Sequence, residues 1–184
     1  MNRWKLAAAA AGLAAAATLM TACGTSPAAS PKAAPTTSPT TPQLQIAAPL
    51  KVPDGNKLTS TMEAQGVQVY QCTNGAWKLL EPGATLSQGG RTVALHSRGP
   101  VWISTVDGSA VNASPVPGAS ITRTNAVPEV LLKATGTRGD GVFGHVTYVQ
   151  RLATEGGVAP AEACSGDVQK AVPYSAVYAF YAQA

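Results

Sequence analysis

The side chains of this chain that could do chemistry are sparse, and the densest group lies in one short segment. His96, Arg98, Trp102 and Asp107 bring an imidazole, a guanidinium, an indole and a carboxylate close together. Aromatic rings stack against flat or apolar ligands, and a few polar groups then fix the orientation of the ligand. These four residues are our candidates for the rim of a partly open ligand-binding cleft. For most of the aromatic side chains, packing in the hydrophobic core is the favoured interpretation.

The two histidines, His96 and His145, limit what catalysis the chain can support. A metal site takes at least three protein ligands in most cases, so Asp107, Glu129 or Asp140 would have to complete one. The sequence has no H-x-H, H-E-x-x-H, G-x-S-x-G or S-x-x-K spacing. We therefore expect no catalytic residue, no metal and no cofactor. The alternative is an extracytoplasmic hydrolase or metal-dependent enzyme that uses His96 with Asp107 or Glu129.

The glycines of residues 139–144 match the dinucleotide fingerprint G-x-G-x-x-G. That fingerprint requires the glycines to lead from a strand into a helix, whose N-terminus then binds the pyrophosphate. Here they lead into residues 145–149, HVTYV, and β-branched and aromatic residues favour a strand. We expect no nucleotide site at this position.

Residues 1–22 have the three parts of an export signal: a basic start, an Ala/Leu run over residues 6–19, and small residues before Cys23. The run is short for a permanent membrane span, which needs about 20 apolar residues. Residues 19–24, LMTACG, resemble a bacterial lipobox, whose cysteine is lipidated after cleavage. We predict that Cys23 is lipidated and fixes the protein to a membrane. Plain secretion with cleavage nearby is the alternative.

The chain has three cysteines, and an odd number in an exported protein requires an explanation. If Cys23 carries lipid, Cys72 and Cys164 remain as a pair in an oxidising compartment, where a disulfide persists. We predict that these two cysteines form a disulfide. The alternative is a pair of buried free thiols.

Residues 24–49 are rich in Pro, Ala, Ser and Thr, with Lys32 as the only charge. Such a composition has too little apolar surface to offset its ordering entropy, and its prolines keep the chain extended. We assign residues 1–22 to the signal peptide, residues 23–49 to the lipidated cysteine and a disordered spacer, and residues 50–184 to one folded domain.

The folded part has the signals of strands and hairpins throughout. The turn signals are Asn74-Gly75, Asp107-Gly108 and Asp140-Gly141. Strand-like runs occupy residues 66–72, 76–80, 91–97, 101–106, 109–113, 130–137, 142–151 and 172–181. Residues 81–90 are expected to form a loop, and residues 114–128 a proline-rich connection. The pattern predicts an all-β fold, a single antiparallel β-sandwich or barrel-like domain of about eight strands, and the spacing leaves both architectures open.

The last run, residues 172–181, is expected to pair with residues 142–151. Tyr174, Tyr178 and Phe180 share one face of it at a period of two. They are predicted to be core residues or the wall of an aromatic cleft.

Several motifs in order along the chain resemble the family called domain of unknown function 3455. They are GVQVYQC (66–72), HSRGPVW with DGS (96–102 and 107–109), Val127-Pro128, VTYVQR with TEGG (146–151 and 154–157), and VPYSAVYAFY (172–181). The resemblance covers residues 50–181 and implies a shared fold and an extracytoplasmic setting, without an activity or catalytic residues. Glu129 departs from the family, which has an aromatic residue after the proline. If that aromatic lines a pocket elsewhere, the pocket here is more polar and acidic.

The favoured function is a membrane-anchored extracytoplasmic lipoprotein with a binding or scaffolding β domain in the cell envelope. The enzyme that uses His96 is the alternative. Its expected partners are the membrane, through the N-terminal lipid, and an envelope ligand or protein. The formal net charge of +4 falls to +2 when Arg3 and Lys5 leave with the signal peptide. No basic stripe remains, so no nucleic-acid partner is expected. Gly24 after the cysteine is not an acidic retention signal, so the outer membrane is expected in a two-membrane cell, and the spacer fits a single-membrane, thick-walled cell equally well.

Overall fold

Eight antiparallel strands follow one another along the chain in the computed structural model, which describes residues 46–184. The predicted signal peptide, Cys23 and most of the predicted spacer lie outside these residues. The strands are β1 (Asn56–Thr73), β2 (Ala76–Gln88), β3 (Arg91–Ser97), β4 (Val101–Ser104), β5 (Ala110–Arg123), β6 (Ala126–Arg138), β7 (Val146–Gly156) and β8 (Gln169–Gln183). The all-β prediction is confirmed. Within residues 46–184 no helix has the length and apolar character needed to cross a lipid bilayer.

The sheet closes into a barrel in which each strand pairs with its neighbours in sequence and β8 pairs back with β1. The closing pair is long, since its register runs from Asn56 opposite Gln183 to Gln71 opposite Gln169. The structure thus decides between the two architectures that the sequence left open. Closure leaves no unpaired sheet edge.

The interior is filled by side chains that alternate along each strand with outward-facing ones. Tyr174, Tyr178 and Phe180 all point inward and are buried, as their period of two predicted. The interior combines large aromatic side chains with small ones; the small ones include Ala64, Ala84, Ala94, Ala113 and Ala176. This arrangement fills the narrow interior of an eight-stranded barrel.

Two segments that were expected to be irregular are paired strands instead. The prediction of a loop over residues 81–90 is wrong because β2 continues to Gln88, and the prediction of a connection over residues 114–128 is wrong because β5 and β6 extend through it. The prolines of β5 are accommodated where the register with β6 shifts, between Pro115 and Ser120, so ladder N–H groups are not required there. Asn125, with φ of 56°, makes the tight turn between the two strands.

A short segment ahead of β1 packs on the outer face of the barrel. Leu50, in the 3₁₀ turn Ala48–Leu50, is fully buried against Leu131, Leu152 and Ala179. The side chain of Gln150 donates a hydrogen bond to the carbonyl of Leu50 at 2.6 Å. The packed structure therefore includes residues 46–49, which the sequence assigned to the spacer.

The predicted disulfide between Cys72 and Cys164 is present and joins β1 to the loop between β7 and β8. Two further hydrogen bonds hold the same loop. The indole of Trp77 donates to the carbonyl of Glu162 at 3.0 Å, and the hydroxyl of Tyr70 donates to the carbonyl of Gly157 at 2.6 Å. The loop is thereby fixed against the β1 side of this end of the barrel.

Candidate functional site

A cavity of about 320 Å³ lies in the barrel next to the turn between β3 and β4. This volume is at the lower end of the range for small-molecule sites. Every strand contributes to its lining, with Gln68 from β1, Leu80 from β2, His96 from β3, Trp102 from β4, Pro115 from β5, Val130 and Leu132 from β6, Arg151 from β7 and Tyr178 from β8. Because every strand takes part, the cavity exists only in the closed barrel.

Three rings form a buried aromatic cluster at this cavity. His96 and Trp102 sit opposite each other on β3 and β4, and their rings stack with centroids 4.4 Å apart and planes within 4°. Tyr178 meets both rings edge-on, at 5.2 Å from His96 and 5.3 Å from Trp102. The cluster is a rigid apolar surface at the wall of the cavity.

His96 is held in one tautomer and is uncharged at neutral pH. Its Nδ1 lies 2.9 Å from the carbonyl oxygen of Val101, which can only accept, so Nδ1 carries the proton. Burial lowers the pKa of His96 to about 4; the hydrogen bond to Val101 opposes this shift, and the charge of Arg151 adds to it. A group with this pKa is a weak base at neutral pH.

Several residues that line the cavity carry hydrogen-bond donors. Gln68 is 1% exposed and Trp102 fully buried, yet Gln68 Nε2 and Trp102 Nε1 have no partner among the described residues. Arg151 donates from Nε and Nη2 to the carbonyl of Pro128, at 3.0 and 2.9 Å, and a guanidinium has five N–H donors in all. In the part of the chain that the structure describes, no carboxylate pairs with Arg151.

The tyrosine hydroxyls near this cavity stay protonated. Burial raises the pKa of Tyr178 and of Tyr174, and Arg151 opposes the shift in both. The two hydroxyl oxygens are 3.5 Å apart. At neutral pH the polar groups of the cavity are therefore the guanidinium of Arg151, the Arg98–Glu81 ion pair, several neutral donors and a neutral imidazole.

The structure brings three of the four predicted rim residues together and separates the fourth. His96, Arg98 and Trp102 line the cavity, and Arg98 pairs with Glu81 at 3.3 Å, where both side chains are solvent-accessible. Asp107 lies in the turn between β4 and β5, at the opposite end of β4. Their role in ligand binding stays a prediction.

Asp107 has a structural task at that opposite end. Its carboxylate accepts hydrogen bonds from the hydroxyl of Ser109 at 2.6 Å, the N–H of Ser109 at 2.9 Å and the N–H of Val142 at 3.0 Å. These bonds, with the Ser109 hydroxyl first, hold the pKa of Asp107 well below its usual value. The carboxylate thus joins two turns and does not reach the aromatic cluster.

The partners required by the enzyme alternative are not assembled around His96. Glu129 accepts from Arg123 and from the backbone N–H of Ala153, the latter at 2.7 Å, and it does not line the cavity. Neither Glu129 nor Asp107 is hydrogen-bonded to His96, and residues 46–184 contain no cluster of three potential metal ligands. The glycines of residues 139–144 lead into β7 and not into a helix, and His145 is exposed.

Gln68 and Arg151 are among the cavity residues that sequence reasoning missed. The alternation of residues 66–72 placed Val67 and Val69 on one face and Gln68 on the other, which is correct, but the polar residue is the one that points inward. Arg151 points inward from β7 in the same way as Val149. A single period-two pattern identifies two faces, and hydropathy alone selects the wrong one where the interior is polar.

Comparison with known proteins identifies one family. A family model described as protein of unknown function (DUF3455) matches residues 53–182, which is nearly the whole barrel. No curated protein and no solved structure matches the chain.

Proposed function

The chain belongs to the DUF3455 family of proteins of unknown function, and we propose that it is a membrane-anchored extracytoplasmic lipoprotein whose barrel binds a small ligand. The observation that carries the binding role is that Gln68 and Trp102 both line one cavity, while their buried Nε2 and Nε1 atoms have no partner among residues 46–184. A buried donor left without an acceptor costs about 1–3 kcal/mol. Acceptor atoms of a bound ligand would satisfy two such donors.

Binding without catalysis fits the cavity better than a reaction does. Catalysis by acid and base requires a positioned group with a pKa near the working pH and a partner within hydrogen-bond reach. His96 has a pKa of about 4 and donates to the carbonyl of Val101, and no carboxylate is bonded to it among the described residues. The enzyme alternative has no observation in its favour.

The location of the protein rests on the sequence. The export signal of residues 1–22, Cys23 in a lipobox-like setting and the Pro/Ala/Thr-rich spacer together favour a lipid anchor outside the cytoplasm. The disulfide between Cys72 and Cys164 suits an oxidising compartment. In this arrangement the spacer holds the barrel away from the membrane and leaves its cavity accessible to envelope molecules.

The anchor is tested by the variant Cys23→Ser expressed in a bacterium with a lipoprotein-processing pathway. The unaltered protein should fractionate with membranes and incorporate labelled palmitate, and the variant should lose the label and the mature anchored form. Labelling that persists in the variant would contradict the role of Cys23.

The binding role is tested by filling the cavity. Val130→Trp places a large ring in the lining, whereas Leu95→Trp adds the same ring at a position that is 45% exposed on the outer wall. The protein purified after export should carry a small molecule, detected by native mass spectrometry, in its unaltered form and in Leu95→Trp but not in Val130→Trp. Equal retention by both variants, or no small molecule on the unaltered protein, would refute the binding role.

A further inference from the structure

Resting on the proposed ligand site, we infer that its occupant is a small organic anion, a carboxylate carried on an apolar body. The carboxylate would be bound by the buried N–H donors of Gln68 and Trp102 and by the guanidinium of Arg151. The apolar body would lie against the aromatic cluster and the aliphatic lining. Charge, donor chemistry and the character of the walls each support this class of ligand.

The charges that line the cavity favour an anion. Arg98, Arg151 and Glu81 are its only ionised side chains at neutral pH, because His96 is uncharged there. Glu81 pairs with Arg98 near the surface. Arg151 therefore contributes a positive charge that no carboxylate of residues 46–184 balances. A partly buried cation without a counter-ion is stabilised by an anionic ligand.

The two buried atoms of lining residues that have no partner within residues 46–184 are both donors. An amide Nε2 and an indole Nε1 can only donate, so each requires an acceptor atom from the ligand. Tyr178 relates them to the cation: its ring packs edge-on against Trp102 at 5.3 Å, and the charge of Arg151 opposes the rise that burial causes in the pKa of its hydroxyl. A carboxylate supplies two acceptor oxygens and a negative charge, which match two neutral donors beside a guanidinium.

The rest of the lining suits an apolar body. It consists largely of aliphatic and proline side chains: Leu79, Leu80, Pro82, Pro100, Pro115, Val130 and Leu132. A fully hydrophilic anion such as phosphate would leave these walls without contact, and a cation would meet Arg151. An amphipathic carboxylate satisfies both parts of the cavity.

The experiment compares three probes that share one skeleton: 3-phenylpropionate, 3-phenylpropan-1-ol and 3-phenylpropylamine. Binding to the full chain, purified after export, is followed by the fluorescence of Trp102 in a background in which Trp4 and Trp77 are both replaced by Phe. Because hydrogen bonds to charged groups are the stronger ones, the carboxylate should bind about 10-fold or more tightly than the alcohol. The amine should bind more weakly than the alcohol.

Two variants and a control connect this preference to the cavity. Arg151→Gln should reduce the carboxylate-to-alcohol ratio of affinities to about 1, while Arg91→Gln, on an exposed residue outside the cavity, should leave it unchanged. Gln68→Glu replaces a donor by an anion and should weaken the carboxylate alone. It keeps the test informative if Arg151→Gln fails to fold, which circular dichroism would show.

The outcomes separate the two proposals. Alcohol or amine binding as tight as carboxylate binding would overturn the anion and leave the ligand-binding barrel standing. A carboxylate preference that survives both variants would overturn the assignment of these donors. If none of the three probes changes the fluorescence of Trp102 and isothermal calorimetry detects no heat of binding, the anion and the small-molecule site both fall.

Discussion

The neutral, buried state of His96 predicts a specific dependence of stability on pH. His96 is 3% exposed, and burial lowers its pKa from 6.5 to about 4. As the pH falls below 6.5, the unfolded chain takes up a proton on this side chain, whereas the folded protein does so only near pH 4. The unfolded state therefore binds more protons between these two values, and the free energy of unfolding decreases as the pH decreases.

The size of the effect follows from the shift. A pKa difference from 6.5 to about 4, at 1.36 kcal/mol for each unit, gives a loss of about 3 kcal/mol between pH 6.5 and pH 4. Below pH 4 both states are protonated at His96 and this group contributes no further change. Asp107 affects stability over a lower pH range. Because its pKa is lowered in the folded protein, it stabilises the fold above the ordinary carboxyl pKa, and this stabilisation is lost as the pH falls below that value.

The assay is urea denaturation of three proteins at several pH values between 7 and 4. The unaltered protein and His145→Gln, which changes an exposed histidine, should lose stability in parallel. His96→Gln should be less stable at pH 7, because it loses the stack on Trp102, but its loss on acidification should be smaller by about 3 kcal/mol. Parallel losses in all three proteins, or a His96 ring that titrates near pH 6.5 by nuclear magnetic resonance, would refute the reasoning.

Three further predictions concern the frame of the barrel, each measured by urea or thermal denaturation. Replacing Cys72 and Cys164 by Ala together should lower the free energy of unfolding by about 4 kcal/mol, since the bridge spans 92 residues; a loss below about 1 kcal/mol would contradict this estimate. Gly66→Ala should lower the free energy of unfolding by about 3 kcal/mol, because the added Cβ would overlap the backbone of the neighbouring strand. The control Gly136→Ala has open space around the added Cβ and should leave the stability unchanged. Equal effects of the two substitutions would refute the close approach at Gly66. Ala153→Gly should stabilise the protein by about 0.5–1 kcal/mol, since Ala153 has φ of 48°, and a destabilised variant would contradict strain at that residue.

The parts of the site that the sequence could predict are those that lie close together along the chain. His96 and Trp102 flank a short turn and pair directly, so a local reading of residues 91–106 already places them side by side. Gln68 and Arg151 come from β1 and β7, and they reach the same cavity only because the barrel closes. Asp107 was grouped with the cleft by its nearness in sequence, but β4 carries it to the other end of the barrel.

The same limit applies to the fold. Asn74 and Gly75 have the positive φ angles that their turn signal requires, 52° and 78°, because those residues favour that conformation by themselves. The pairing of residues 114–128, in contrast, depends on neighbours across the sheet and on shifts of register that accommodate the prolines. Proline chemistry alone favours a connection there.

The sequence by itself determined the all-β character, the number of strands, the turn at Asn74 and the pairing of the two cysteines. These follow from local backbone preferences, from alternation along single strands and from the count of cysteines. Only the tertiary structure decided that the sheet closes and that Gln68 and Arg151 point inward to meet Trp102 at one cavity. Closure and the choice of the inner face depend on contacts between residues far apart in the chain, and such contacts leave no local signal.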